Sequence, residues 1–280
     1  MSSVTVDPAA ALAGRPRTDR SPREPLPRGV STAAGVAAGL LLWELLAHVW
    51  LSERQGLPTP YNTGKAFLTD GWSFYWPLVR QTGGRALPGY VVGNGVALAL
   101  ALVVLLVPAT EKVVMQIAVA TYCLPLLAVG PILTLTLTGN HPMQALAGLF
   151  VVFTTLVGTI LGLRSADATS LDLVRAYGGG AFAQLRRVRL RAALPNTLAA
   201  LKIAAPTAVL GAILGEFFGG NVEPGLGSAM VVSEQQLEVP RTWAIALVAA
   251  GLGGVGYLLV TLVERVATPW ARNTTAAGAP

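Results

Sequence analysis

The stretch Asp172–Pro195, DLVRAYGGGAFAQLRRVRLRAALP, decides how the rest of the chain is interpreted. It carries three consecutive glycines and four closely spaced arginines, Arg186, Arg187, Arg189 and Arg191, between two long apolar runs. An arginine at the centre of a bilayer costs roughly 2.5 to 3.5 kcal/mol even on a lenient insertion scale. The segment is therefore predicted to lie outside the membrane, as two short helices joined by glycine. It is longer than a simple connection requires, so we expect it to contact a soluble partner.

Composition places the chain among multi-span membrane proteins. Hydrophobic residues make up 53% of its 280 residues and charged residues only 12%, and the mean hydropathy is +0.58. Ordinary soluble domains contain roughly 25% charged residues. The net charge of +6 could suggest a nucleic-acid partner. However, most basic residues lie in short stretches between apolar runs, where membrane orientation explains them, so nucleic-acid binding is not expected.

Apolar runs of about 20 residues, the length of a membrane-crossing helix, divide the chain. Six of them cover roughly 30–50, 86–107, 113–137, 143–163, 197–219 and 242–263. They lack the alternation of barrel strands, and a helix satisfies its backbone groups without water. The sequence predicts an all-α integral membrane protein of about six transmembrane helices. One transmembrane domain over 30–266 would include a polar loop over about 164–196, between a disordered tail over 1–29 and a C-terminal tail over 267–280.

Lysine and arginine residues are distributed unevenly between the two sides of this predicted bundle. Fourteen of the 20 fall on the side that holds the polar loop and both termini, five fall on the other side, and Lys202 lies inside the fifth run. By the positive-inside rule, the loop and both termini are predicted to be cytoplasmic. Arg80 and Arg85 depart from this pattern, because they flank the second run on the outer side.

Two prolines interrupt the third apolar run. Pro125 and Pro131 would each remove a helix hydrogen bond and bend or break the helix. In a membrane such breaks persist mainly where protein or a water-filled cavity covers them. The prolines therefore indicate either an element that lines a pathway or an ordinary kink tolerated by packing.

Polar residues inside the apolar runs are further candidates for function. Glu44 and His48 lie four residues apart in the first run, as in a proton relay or at a hydrated outer end. Lys202 is predicted to extend its ammonium to the inner surface. Glu216 is predicted either to line an outer gate or to be solvated at the interface. Asn94 is expected to form an interhelical hydrogen bond.

Several short segments, taken in order, resemble a known family. Leu57–Pro60 reads Leu-Pro-Thr-Pro after the first run, and 124–126 reads Leu-Pro-Leu in the third. Glu216 follows a glycine near the end of the fifth run, and Gly225–Gly227 reads Gly-Leu-Gly. Together they resemble the permease subunit of a bacterial ATP-binding-cassette (ABC) importer of the nitrate, sulfonate and taurine type, over roughly residues 30–265.

The cytoplasmic motif of that family also has a counterpart here. It runs Glu-Ala-Ala, three residues, Gly, and then a long spacer to Leu-Pro. Counting back from Leu194–Pro195 places its glycine on Gly178 and its acidic residue on Asp172, whereas the two alanines are not matched. The resemblance implies a type I importer bundle whose loop forms a coupling helix that docks on an ATP-binding subunit.

The resemblance implies that the contact with the ATP-binding subunit involves Asp172, Gly178, Phe182, Leu185, Arg186, Arg187, Leu194 and Pro195. The candidates for the translocation path or gate are the prolines and polar residues inside the apolar runs, Asn94, Pro125, Pro131 and Glu216. Phe182, Leu185 and Val188, spaced three apart, are expected to form the apolar stripe that meets the partner. The alternative is that this stripe packs on its own bundle or lies at the lipid surface.

No catalytic or metal-binding motif is present in the sequence: it contains no GxxxxGK[ST] phosphate loop, no HExxH and no Cys/His metal spacing. We expect no cofactor on this chain, with ATP and Mg bound by an ATP-binding subunit in two copies. The other expected partners are a second permease subunit, identical or related, an extracytoplasmic solute-binding protein and the lipid bilayer of the cytoplasmic membrane. The alternatives are a proton-coupled secondary carrier that uses Glu44 and His48, and a membrane-embedded enzyme or scaffold.

Overall fold

The computed structural model describes residues 28–49, 56–219 and 222–269, and every regular element among them is helical. Most of the two predicted tails, 1–29 and 267–280, lies outside these residues. The helices are α1 (Arg28–Val49), α2 (Pro60–Asp70), α3 (Trp72–Leu106), α4 (Glu111–Cys123), α5 (Leu126–Thr136), α6 (His141–Arg164), α7 (Ala168–Ala176), α8 (Ala181–Gln184), α9 (Leu190–Glu216), α10 (Leu226–Gln235) and α11 (Val239–Ala267). The chain divides into two units, Met1–Leu46 and Ala47–Pro280, and the sites described below lie in the second.

Five helices in the described part are long and apolar enough to cross a membrane, and a bent pair raises the number to six if it is one broken span. The six predicted runs therefore each coincide with helix, but two boundaries are wrong. The second span begins at Trp72, and the fifth belongs to a continuous helix, Ala181–Glu216. At 35 residues, α3 is about 52 Å long, well beyond the roughly 30 Å of hydrocarbon. Hydropathy marks the apolar part of such a helix and misses its polar extension.

The bent pair has its break at Pro125. Helix α4 ends at Cys123 and α5 begins at Leu126, and the two axes differ by 100°. The backbone of Leu124 is extended, as expected for a residue that precedes proline, and Pro125, the N-cap of α5, is extended as N-cap residues usually are. The predicted break is confirmed at Pro125. Pro131 does not break the helix, because it lies inside α5, which continues to Thr136.

Glycines allow α3, α6 and α9 to pack with their backbones in close contact. A methyl group added at Gly93 of α3 would lie 2.6 Å from the carbonyl oxygen of Gly148 on α6, and one at Gly215 of α9 would lie 2.7 Å from the Cα of Met143. Small residues four apart are the usual means of such contact in membranes. Within these three helices, the glycines four apart are Gly89 and Gly93, Gly158 and Gly162, and Gly211 and Gly215. This repeated pattern is present in the amino-acid sequence, although the predictions above did not include it.

We predict that Gly93→Ala destabilises the bundle by about 1 to 3 kcal/mol, the usual cost of overpacking. The added methyl group would meet the backbone of Gly148 and the side chain of Val151, and backbone atoms cannot move aside cheaply. Gly95 is the matched control, because it lies on the same helix with nothing within 4 Å of an added Cβ. Thermal unfolding of the two purified variants in detergent measures the difference. Equal unfolding temperatures would contradict this account of the packing.

Candidate functional site

The polar loop predicted from the sequence forms a helical elbow, residues 167–189. Helix α7 is capped by Asp167 and Tyr177, and Gly178 follows with φ at +76°, a left-handed conformation that glycine adopts at little cost. The N–H groups of Gly178 and Gly179 donate to carbonyl oxygens of Arg175 and Val174 at 2.9 and 2.8 Å, which closes the end of α7. The glycine turn is thus confirmed.

Gly179 has a packing role that the sequence analysis did not find. A Cβ on this residue would lie 2.5 Å from Cγ1 of Val174. Beyond the turn, α8 continues through a π turn, Leu185–Arg189, directly into α9. The predicted second short helix is therefore not separate. Leu194 and Pro195, expected to close the loop, lie half-buried inside this continuous helix.

The apolar residues of the elbow are divided between an exposed surface and the core. Phe182 is 72% exposed, whereas Leu185 is 7% exposed and packs in a cluster with Leu163 and Ala193. The predicted stripe of Phe182, Leu185 and Val188 is therefore wrong as a single exposed face. Its residue spacing assumed an α-helix, and the π turn that begins at Leu185 inserts an extra residue.

The exposed surface of the elbow combines apolar and basic side chains. Tyr177 is 85% exposed, and Leu173 is also exposed, although neither was singled out as a contact residue from the sequence. Arg186 and Arg187 are exposed on the following turn. Asp172 pairs with Arg175 at 3.1 Å on the surface of α7, where such a pair adds little stability. The coupling role of these residues remains a prediction.

Asp167 provides the N-cap of α7. Its carboxylate accepts hydrogen bonds from the backbone N–H and the hydroxyl of Ser170, at 2.9 and 3.0 Å. The backbone hydrogen bond from Ser170, followed by the hydroxyl bond, lowers the pKa of Asp167. A lowered pKa means that the capping contribution is complete above about pH 4, the ordinary range for aspartate. It is lost as the pH falls through the lowered value.

We therefore predict that Asp167→Ala increases amide hydrogen exchange in the first turn of α7 at neutral pH. Asp167→Asn is the matched control, since its amide oxygen still caps a helix. The asparagine variant should exchange at nearly the wild-type rate and respond less to acid. Hydrogen-exchange mass spectrometry of Ala168–Ala176 measures the effect. Identical exchange in the two variants would mean that the cap does not stabilise α7.

A buried ion pair lies at the opposite end of helix Ala181–Glu216 from the elbow. Arg85 of α3 donates from Nη1 to Oε1 of Glu216 at 2.8 Å, and the two side chains are 2% and 0% exposed. The other guanidinium nitrogens are also satisfied, because Nε donates to Asn140 at 2.9 Å and Nη2 to the carbonyl oxygen of Glu223 at 2.6 Å. Such full pairing is what a charge removed from water requires.

The same carboxylate caps the N-terminus of α10. Oε2 of Glu216 accepts a hydrogen bond from the N–H of Gly227 at 2.7 Å. The hydroxyl of Thr82 accepts a hydrogen bond from the N–H of Leu226 at 2.8 Å and donates one to Glu216 at 2.9 Å. These N–H groups in the first turn of a helix have no partner within it. Any Cβ on Gly225 would overlap the Glu216 carboxylate. The Gly-Leu-Gly segment thus fits closely over a charge supplied by another helix.

Other polar residues are placed as follows. Glu216 is not solvated at an interface, so that alternative is wrong, and its role in a gate remains a prediction. Asn94 accepts from Thr155 of α6 at 2.5 Å, which confirms the interhelical hydrogen bond. Lys202 pairs with Glu264 and lies 5.7 Å from the ring centroid of Tyr257, instead of reaching solvent alone.

The remaining polar candidates add no chemical site. Glu44 and His48 lie one turn apart on α1. Their role in a proton relay remains a prediction. The described residues contain no group of three or more His, Cys, Asp or Glu side chains placed to hold a metal ion. Pro125 and Pro131 are placed by the broken span, and their part in a path is untested.

Five or six helices able to cross a membrane, joined in part by a polar elbow, define the chain as a multi-span integral membrane protein. Residues 93–271 match the family model of the binding-protein-dependent transport system inner membrane component. The chain belongs to this family. The resemblance to ABC importer permeases and the predicted all-α membrane bundle are thereby confirmed.

Individual relatives differ in the solute that their names give. The chain is 24% identical to the formylaminopyrimidine transport permease protein ThiX of Halalkalibacterium halodurans over 235 residues, 84% of this chain and 93% of that protein. It is 25% identical over 239 residues to SsuC of Bacillus subtilis, named for aliphatic sulfonates transport, covering 84% and 85% of the two chains. The riboflavin transport system permease protein RibX of Chloroflexus aurantiacus is 26% identical over 161 residues, 57% of this chain and 59% of that protein.

Proposed function

We propose that this chain is the permease subunit of an ABC importer in the cytoplasmic membrane, and that it carries a small organic or anionic solute delivered by a solute-binding protein. Two copies of a separate ATP-binding subunit would bind ATP and Mg and hydrolyse the nucleotide. This chain would bind no cofactor and catalyse no reaction. A second permease subunit, identical or related, would complete the translocation path.

The observation that carries this proposal is the exposed surface of the elbow. Tyr177 and Phe182 are large apolar side chains at 85% and 72% exposure, on either side of a glycine turn and next to Arg186 and Arg187. Aromatic and arginine side chains supply most of the binding energy of protein interfaces. Contiguous exposed apolar residues of this kind are typical of a partner surface. An ATP-binding subunit is the partner that membership of the family favours.

The orientation proposed from the basic residues places the elbow and both termini in the cytoplasm. Two exposed positions at opposite ends of the bundle allow a direct test, Tyr177 in the elbow and Leu237 between α10 and α11. Cys123, the one native cysteine, is exposed, so the test requires a Cys123→Ser background. In intact cells a membrane-impermeant maleimide should label Leu237→Cys and leave Tyr177→Cys unlabelled. Labelling of Tyr177→Cys from outside would overturn the orientation and the docking role.

Copurification tests the partner directly. The tagged chain, coexpressed with the ATP-binding subunit of its transport system, should yield a stable complex with vanadate-sensitive ATPase activity. The competing proposal, a proton-coupled carrier, requires no such subunit and predicts uptake that collapses with the proton gradient. Uptake that survives ATP depletion but is abolished by a protonophore would favour the carrier.

A further inference from the structure

A cavity of about 700 Å³ lies at the end of the bundle opposite the elbow. Its walls come from Phe74 of α3, Phe217 and Phe218 after α9, one side of α10, and Gln236. Phe217 and other lining residues are exposed, so the cavity opens to the surface. Its volume lies in the range of sites that hold small organic molecules.

The charged groups that line this cavity, among the described residues, are already paired. Glu216 is bound to Arg85. Arg241 donates from Nη2 to Asp70 at 2.7 Å and from Nη1 to Glu238. The guanidinium of Arg241 thus faces two carboxylates, and this cluster carries a net negative charge.

An anionic solute would therefore find no uncompensated cation in this cavity. Removing a sulfonate or carboxylate from water without a partner is costly. Lys65 lies in a neighbouring groove beside Asp70, and it does not line the cavity. Gly220 and Asn221, outside the described residues, are uncharged. The electrostatics of the site therefore favour an uncharged molecule over an anion.

The remaining lining groups suit a flat ring with a polar edge. Phenylalanine rings such as those of Phe217 and Phe218 stack on aromatic molecules. Gln235 and Gln236 also border the cavity, and their side chains form no hydrogen bond within the described part of the chain. Each amide can both donate and accept, so the pair can match the ring nitrogens and carbonyl or amino groups of a heterocycle.

We infer that this cavity binds an uncharged, planar heteroaromatic solute. Its ring would stack on Phe217 and Phe218, and its polar edge would form hydrogen bonds with the side-chain amides of Gln235 and Gln236. This inference rests on the proposed transport function and adds the chemical class of the solute. It also assigns the binding step to a site within this chain.

Matched pairs of probes test the inference. Isothermal titration calorimetry would compare uracil with orotate and nicotinamide with pyridine-3-sulfonate, using the purified complex of this chain with its ATP-binding subunit. In each pair the ring is similar and the charge differs. We expect at least one neutral probe to bind, at least tenfold more tightly than its anionic counterpart. Equal or tighter binding of the anions, or no binding by any probe, would overturn the inference.

Variants locate the binding in this cavity. The double variant Gln235→Ala with Gln236→Ala should weaken binding of the neutral probe at least tenfold, whereas Glu234→Ala, exposed on α10 and outside the lining, should leave it unchanged. Glu238→Gln removes one carboxylate beside Arg241 and should raise the relative affinity for the anionic probe. Unchanged affinity for the neutral probe in the double variant Gln235→Ala with Gln236→Ala would refute the site.

The outcomes separate this inference from the proposed function. A complex that forms and hydrolyses ATP but prefers anions refutes only the inferred solute class. Failure to form any complex refutes the proposed function itself.

Discussion

Glu216→Ala is expected to be the most destabilising single substitution in this chain, at roughly 3 to 5 kcal/mol, the usual cost of breaking a buried ion pair. The change leaves the guanidinium of Arg85 buried without its carboxylate. It also removes the acceptor for Thr82 and for the N–H of Gly227. Helix α10 would lose the cap at its first turn, so we expect early proteolysis there as well as a lower unfolding temperature.

The control for this substitution is Glu234→Ala, which removes an exposed carboxylate from α10 itself. Surface changes of this kind usually alter stability by less than about 0.5 kcal/mol. Glu216→Gln should lie between the two, because its amide keeps one acceptor oxygen but cannot neutralise Arg85. Denaturant unfolding and limited proteolysis in detergent supply the comparison. Glu216→Ala as stable as Glu234→Ala would show that the ion pair contributes nothing.

Gly178→Pro is expected to abolish stimulation of the partner's ATPase while the protein still inserts in the membrane. The φ of +76° at Gly178 is closed to proline, and the N–H that donates to Arg175 would be lost. The turn would then open, and Tyr177 and Phe182 would no longer share one surface. The measurement is the ATPase activity of the reconstituted complex, normalised to the amount of inserted protein.

Gly180 offers a matched proline control two residues away. Its φ of −75° is compatible with proline, and an added Cβ would meet nothing within 4 Å. Gly180→Pro should therefore keep most of the stimulation. Equal activity of Gly178→Pro and wild type would count against the elbow as the coupling contact, even if the complex itself still forms.

The amino-acid sequence predicts the membrane class, the six helical segments and the glycine turn correctly, because these depend on local composition. Helix ends at Trp72 and Ala181 were not predictable from hydropathy, since polar residues continue a helix beyond the hydrocarbon. The pairing of Arg85 with Glu216 joins residues 131 positions apart, and no local pattern indicates such a contact. Leu185 is buried because it packs in a cluster with Leu163 of α6, a contact that the local spacing of apolar residues does not indicate.

Some structural features that were not predicted are nevertheless indicated by the amino-acid sequence. The glycine pairs spaced by four in α3, α6 and α9 are visible in the sequence and have a known role in close helix contact. Leu173 and Tyr177 adjoin the glycine turn and could have been included among the surface residues of the elbow. The capping of α10 by Glu216 is only weakly indicated by the sequence. The indication is the Gly-Leu-Gly segment, whose small residues leave room for the carboxylate.

The continuous helix Ala181–Glu216, at 36 residues, is about 54 Å long and connects the elbow to α10 in the manner of a lever. Phe182 lies at one end, and the carboxylate that holds α10 lies at the other. If the lever tilts about its middle, its two ends move in opposite directions, and 27 Å of arm converts each degree of tilt into about half an ångström. Under the proposed orientation, a small push on the elbow end would thus reach the wall of the cavity beside α10.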